Sequence, residues 1–206
     1  MEKLRRFALE IFKIDFFRQY YCWARYQLLK KKLRILPEEM GGVGKDTIEH
    51  NLSALGVRAG FGMGNRMSLL LYPLAAVLGR RKQNSKVLIV GPRTEDDIYW
   101  ARALGMTDVR GLDLFSYSPW IDLGDIHQTS FSDGEFDAII LGWVISYSNQ
   151  PEKMVSECKR IIKDGGYLGF GIESNPDLRN SGAVKPPRVN SLNSASDIAA
   201  LVRESV

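Results

Sequence analysis

Gly91 closes the apolar run Val87-Leu88-Ile89-Val90, and Asp113 follows 22 residues later at the end of a second run, Val109-Arg110-Gly111-Leu112. An acid about 20 residues beyond a strand-ending glycine is in place to accept hydrogen bonds from a ribose diol, as in dinucleotide-binding α/β folds. A second set of residues invites a different chemistry. Gly41-Gly42-Val43-Gly44-Lys45-Asp46 is similar to a phosphate-binding loop, in which a lysine cradles phosphates and a Ser or Thr hydroxyl holds magnesium. Here Glu39 occupies the leading glycine position and Asp46 the hydroxyl position, so the expectation is a turn before a helix.

Residues at strand ends act together only if a sheet aligns them. From Lys86 onward short apolar runs alternate with helical stretches. Strands are expected at 86–90, 108–114, 121–126, 136–143 and 167–172, with helices over 97–104 and 151–162 and a final one over 195–204. Runs that are apolar on both faces and joined by crossovers imply a mostly parallel sheet, with ligands at the C-terminal strand ends. Gly165-Gly166 then supply a left-handed cap and a tight reversal into the fifth strand. Three segments are expected: a basic aromatic helical arm at 1–36, a helical and Gly-rich connector or lid at 37–84, and an α/β domain at 85–206. The alternate glycines of Ala59-Gly60-Phe61-Gly62-Met63-Gly64 place a loop in the connector.

The stretch from Lys86 to Ser174 resembles the class I S-adenosylmethionine-dependent methyltransferases, in a type 11-like form, by an ordered set of motifs. Val87–Thr94 stands at the first strand and glycine loop, and Val109–Leu114 at the second strand with its terminal acid. Gly124-Asp125-Ile126 is similar to the adenine-binding acid. Phe131–Asp137 matches the entrance to strand four, and Glu157–Gly166 the "E-x-x-R-v-L-k-p-G-G" helix and turn. The resemblance implies a Rossmann-like methyltransferase fold, S-adenosylmethionine as cofactor, and cofactor binding by Gly91, Arg93, Thr94, Asp113, Leu114, Asp125 and Ile126. Asp113 would take the ribose and Asp125 the exocyclic amine of adenine, with Leu114 and Ile126 packing on the ring. Acceptor-side residues should follow strands four and five, which nominates Trp143, Tyr147 and Glu173 as catalytic candidates. His127 reads as a solvated loop residue.

The sequence departs from the family pattern in the glycine loop. Ile89 replaces an acid, and Arg93 and Glu95 replace two glycines. Either Arg93 pairs with the methionine carboxylate of the cofactor, or it fills the cofactor's space and leaves a degenerate methyltransferase-like binding or scaffold protein. A nicotinamide-dinucleotide oxidoreductase fits less well, because the G-x-G-x-x-G spacing is absent. The sequence also lacks an Asn-Pro-Pro-Tyr-like motif and a cysteine nucleophile, so the expected acceptor is a small molecule, lipid or saccharide, and not a nucleic acid. After strand five no further β-rich run is left for an antiparallel edge hairpin, so about five strands and an open or partner-covered edge, as in a homodimer, are expected.

Charge separates the arm from the body. Of a net +4, residues 1–35 carry +7 and the remainder −3, which argues against nucleic-acid binding by a broadly basic domain. Phe7, Phe12, Phe16, Phe17, Tyr20, Tyr21, Trp23 and Tyr26 crowd the same arm. A basic aromatic helix suits a membrane surface or self-association; alternatively it packs its rings on the domain and solvates its charges. The longest charge-free apolar stretch, Met67–Gly79, is 13 residues, short of the roughly 20 that span a bilayer. The N-terminal apolar residues, interrupted by Glu10, Lys13, Asp15 and Arg18, form no secretory signal. A cytoplasmic protein, peripheral at a membrane at most, is expected. Cys22 and Cys158 read as incidental or buried thiols rather than a disulfide or a metal site.

Overall fold

In the computed structural model residues 2–37, 48–49, 51–52, 55, 66–173 and 190–205 are described, residues 2–6 by their backbone only. The Gly41–Asp46 and Ala59–Gly64 segments, and residues 174–189, lie outside the described residues. In chain order the elements are α1 (Glu2–Ile11), α2 (Asp15–Leu29), β1 (Arg34–Ile35), α3 (Ser68–Leu78), β2 (Lys86–Val90), α4 (Asp96–Ala103), β3 (Asp108–Asp113), β4 (Phe115–Ser116), β5 (Ile121–Leu123), β6 (Phe136–Leu141), α5 (Pro151–Ile161), β7 (Ile162–Phe170) and α6 (Ala195–Glu204).

The five longer-range strands form one sheet in the order β5-β3-β2-β6-β7, and every pairing in it is parallel. The central strand shows why. Val87, Leu88 and Ile89 are fully buried, which requires cover on both faces of the sheet. Val87 and Ile89 pack with α3 and α4, including Leu71, Leu74 and Trp100. Leu88 and Val90 point the other way, against Met154, Val155 and Cys158 of α5 and Ile198 and Leu201 of α6. The alternation of the strand thus feeds two separate cores. Helix α6 begins in a reciprocal capping box between Ser194 and Asp197, which satisfies two donors that a helix start leaves orphaned.

The strand from α5 starts earlier than expected. β7 begins at Ile162, and the register against β6 jumps from Phe136↔Ile162 to Ala138↔Tyr167. The residues between bulge out, and Gly165 takes the left-handed conformation there, at φ +70°. Among the described residues β7 ends the strand order.

The arm is split into two helices around Phe12–Ile14 and packs on α4. Two of its cations, Arg18 and Arg25, face inward, while Lys13, Lys30, Lys31, Lys32 and Arg34 are exposed. Arg18 is fully buried, donating to Asp96 Oδ1, Asp15 Oδ1 and the Phe12 carbonyl, each at 2.8 Å, and its guanidinium lies 3.5 Å from the centre of the Trp100 ring. Arg25 forks onto buried Glu95 at 2.5 and 2.9 Å. Some rings do pack, as in the edge contacts of Tyr21 with Tyr99 and Tyr26 with Tyr117. β1 pairs with β4 over two residues, a contact too short to read from a sequence pattern.

Candidate functional site

Parallel strands bring their C-terminal ends to one edge of the sheet, and a small cleft of about 50 Å3, partly open to solvent, lies at that edge. Val90, Leu112, Leu114, Ile126, Val144 and Met154 form its apolar walls; Asn51, Arg93, Asp113, Asp125 and Tyr147 bring the polar groups. Gly91 and Gly124 complete the lining.

Gly91 has φ +71°, and a Cβ built on it would lie 2.2 Å from Val144 Cγ1. The chain can turn here only with glycine. Two residues on, Arg93 adopts φ +56°, a conformation that costs a non-glycine residue of order 1 kcal/mol or more. The turn is held from across the sheet edge: the Arg93 N–H donates to Asp113 Oδ2 at 2.9 Å, and the Leu114 N–H donates to Asp113 Oδ1 at 2.8 Å. Asp113 is buried, and burial outweighs these donors and the Arg93 charge to push its carboxyl up to about 6. Thr94 is also buried. It tightens the loop through its N–H to the Pro92 carbonyl at 2.5 Å, and it does not line the cleft.

Glu95, at a family glycine position, turns away from the cleft. Its carboxylate is buried between Arg25 of the arm and the Ser118 hydroxyl, and its N–H donates to the Tyr117 hydroxyl at 3.2 Å. A glutamate is tolerated here because the arm neutralises it. Half-buried Asp97, the second residue of α4, has its carboxyl held well above the usual range, first by desolvation and then by the adjacent Asp96 charge.

Asp125 sits at the third strand end, buried, and is joined to a chain of polar groups. The His127 N–H and Nδ1 meet Asp125 Oδ1 at 3.0 and 2.5 Å, and His127 Nε2 meets Ser148 Oγ at 2.5 Å. Ser148 Oγ also accepts from the Gln150 N–H at 3.0 Å. A proton on Nδ1 lets the ring donate to the carboxylate and accept from the serine, which satisfies all three side chains. His127 is therefore a buried strut, 3% exposed, and not the solvated loop residue expected, because its partners close around it from a loop 21 residues away.

Tyr147 is half-buried at the cleft. Trp143 and Glu173 do not line it. They meet instead through Arg66, whose guanidinium stands 4.8 Å over the Trp143 ring and pairs with the Glu173 carboxylate. Trp143 is also left-handed, at φ +59°, with Gly171 directly beneath its ring. Asn51 escaped the sequence reading because it lies outside every recognised motif. Its buried Oδ1 has no hydrogen-bond partner among the described residues, although Asn51 lines the cleft. Cys22 and Cys158 are buried thiols, and burial pushes Cys158 up to about 12. Among the described residues there is no metal-holding cluster of His, Cys, Asp or Glu.

Residues 100–170 match the family model described as a methyltransferase domain. That match spans 71 of the chain's 206 residues, within the α/β body. The chain overlays on the solved structure of the [4+2]-cyclase SpnF with a TM-score of 0.58 at 16% identity, covering 84% of this chain and 73% of that one. A Bacillus halodurans protein assigned as a methyltransferase gives a TM-score of 0.52 at 20% identity, over 69% and 68% of the two chains. At these identities the likeness establishes the fold, and the cyclase shows that one fold carries different chemistries. An uncharacterized protein of Methanocaldococcus jannaschii is 40% identical over 42 residues, a match spanning 20% of each chain.

Proposed function

We propose that this chain is an S-adenosylmethionine-dependent methyltransferase acting on a small-molecule, lipid or saccharide acceptor. The observation that carries the reading is the cleft itself. It combines apolar walls, two buried strand-end carboxylates, and an orphaned acceptor, Asn51 Oδ1, that needs a donor from a ligand. A nucleoside has such donors in its hydroxyls and exocyclic amine, so the residues present fit the group.

In this reading Asp113 accepts from the ribose hydroxyls, Asp125 from the adenine amine, and Leu114 and Ile126 pack on the ring. Gly91 lets the backbone come close, Thr94 shapes the loop, and the Arg93 guanidinium meets the carboxylate of the methionine moiety. When bound, the cofactor supplies a methyl group on a sulfonium, open to in-line displacement by a nucleophilic acceptor. The protein's own contribution is to hold the acceptor in line and exclude water. Tyr147, which lines the cleft, is the acceptor-side residue in this reading; Trp143 and Glu173, tied through Arg66, lie outside the cleft lining and can act there only if that ion pair opens.

The second reading, a degenerate binding or scaffold protein, is favoured by one feature: the Arg93 N–H already occupies Asp113 Oδ2, and the loop glycines are replaced. Calorimetric titration with S-adenosylmethionine and S-adenosylhomocysteine separates the two. Micromolar binding that is lost in Asp113→Ala supports methyl transfer, whereas no heat at millimolar ligand with a folded protein rejects it. A metabolite extract scanned for methylated products then identifies the acceptor.

A further inference from the structure

Helix α2 is built inside out. Its two arginines point inward into ion pairs, while Phe16, Tyr20 and Trp23, spaced i, i+4 and i+7, form an outward stripe with exposures of 59%, 53% and 37%. Phe17 at 48% and Leu28 at 79% widen it. The rings meet along the stripe, Phe16 edge-on to Phe17 at 5.4 Å and Tyr20 tilted against Trp23 at 5.8 Å. No acidic residue occurs between Phe16 and Ile35, and the stripe ends in the exposed cations Lys30, Lys31, Lys32 and Arg34.

Helix α3 repeats the design. Leu69, Tyr72 and Val77 are exposed by 67%, 55% and 52%, no acid occurs from Ser68 to Gln83, and the helix runs into Arg80, Arg81 and Lys82. Both helices flank the same residue of α4. Trp100 lies under the Arg18 guanidinium of α2 on one side and meets the Tyr72 ring of α3 edge-on at 5.9 Å. The two apolar faces, each ending in a basic cluster, therefore belong to the same layer of the molecule.

We propose that this layer docks on an anionic lipid surface. Exposed aromatic faces of this kind are costly in water and mark a docking surface. The charge pattern selects the occupant. Aromatic rings at headgroup depth beside a row of lysines and arginines suit anionic lipid, whose negative surface potential rewards each cation. A second copy would instead bring one +7 arm against another. Among the described residues no helix is long and apolar enough to cross a membrane, so the docking is peripheral. The surface does not depend on the cleft retaining activity.

The test is co-sedimentation of the full chain with phosphatidylcholine vesicles, with and without 30% phosphatidylserine, alongside sedimentation velocity without lipid. Expected is a lipid-free monomer that binds only the anionic vesicles and is released by high salt. Lys30→Gln/Lys31→Gln/Lys32→Gln should weaken binding roughly 100-fold, about fivefold for each charge removed. Trp23→Ser/Tyr20→Ser should abolish it with the circular dichroism spectrum unchanged. Trp23→Phe should still bind but lose the blue shift of fluorescence on vesicle addition. Equal binding to neutral vesicles, or no binding to anionic ones at low salt, overturns the proposal. So does a lipid-free dimer that Trp23→Ser/Tyr20→Ser converts to monomer, which would assign the stripe to a second copy. Cofactor titration on the same preparation reports the fate of the cleft separately.

Discussion

Arg93 and Asp113 are bound to each other through the backbone: the Arg93 N–H donates to Asp113 Oδ2 at 2.9 Å, so the carboxylate that faces the cleft also fixes the turn after β2. This gives the pair a pH signature. The folded-state value of about 6 lies above the ordinary 3.8, because burial disfavours the charge. The native state therefore holds this proton more tightly than the unfolded chain. The associated stability is complete below about 3.8 and is lost as pH rises through 6, an amount of about 3 kcal/mol. Ligand hydroxyls favour the ionised form. S-adenosylhomocysteine affinity, measured by calorimetry, should thus rise between pH 5 and 7 with an inflection near 6, and Asp113→Ala should weaken it by roughly 30- to 100-fold and remove the inflection.

His127→Ala should weaken the Asp125 end of the cleft, although His127 itself does not line it. It deprives Asp125 and Ser148 of their shared partner, leaving buried polar atoms unsatisfied at a cost of about 1–3 kcal/mol. Denaturant unfolding should report that loss, and ligand affinity should fall with it. If affinity stays at the wild-type value while stability drops, His127 supports the fold alone.

Gly91→Ala combines a left-handed backbone with a 2.2 Å approach to Val144 Cγ1, so it should destabilise by more than about 2 kcal/mol. Val144→Ala in the same chain removes the clash but not the backbone strain. A double-mutant cycle in urea should recover part of the loss, with a coupling on the order of 1 kcal/mol.

Glu157 is a structural acid of the domain. Its Oε1 accepts from the Thr129 N–H and hydroxyl at 2.8 and 2.6 Å, and Arg160 forks onto both oxygens at 2.7 and 2.9 Å. Burial works against ionisation, but these donors outweigh it and hold the carboxyl down to about 2. The stability it contributes is present above 4.5 and is lost as pH falls through 2. Glu157→Gln should cost about 2 kcal/mol at pH 7 and flatten the acid limb of a melting-temperature profile, with little change in ligand affinity.

The legible parts of this protein are those whose signal is local. β2 and the Ala138–Leu141 part of β6 are readable as continuous apolar runs because both of their faces are covered, and the paired Glu157 and Arg160 are readable because three residues on a helix place them on one face. The positions of Gly91, Asp113 and Asp125 at strand ends follow from the same runs, since a parallel sheet gathers those ends at one edge.

Asn51 and His127 carried no such signal. What each does depends on a group distant in sequence: the cleft wall for Asn51, and Ser148 for His127. The arm makes the same point most sharply. Its composition determines a helical, basic and aromatic segment, yet composition cannot say which face is turned inward. That choice was made by Glu95 and Asp96, some 70 to 78 residues away, which offer buried carboxylates to Arg25 and Arg18. Satisfying two buried charges outweighs covering a row of rings, because an unpaired charge in the interior costs more than an exposed aromatic face. Sequence alone therefore determined the sheet and the place of its cleft, while the tertiary structure decided that the arm's aromatics face outward.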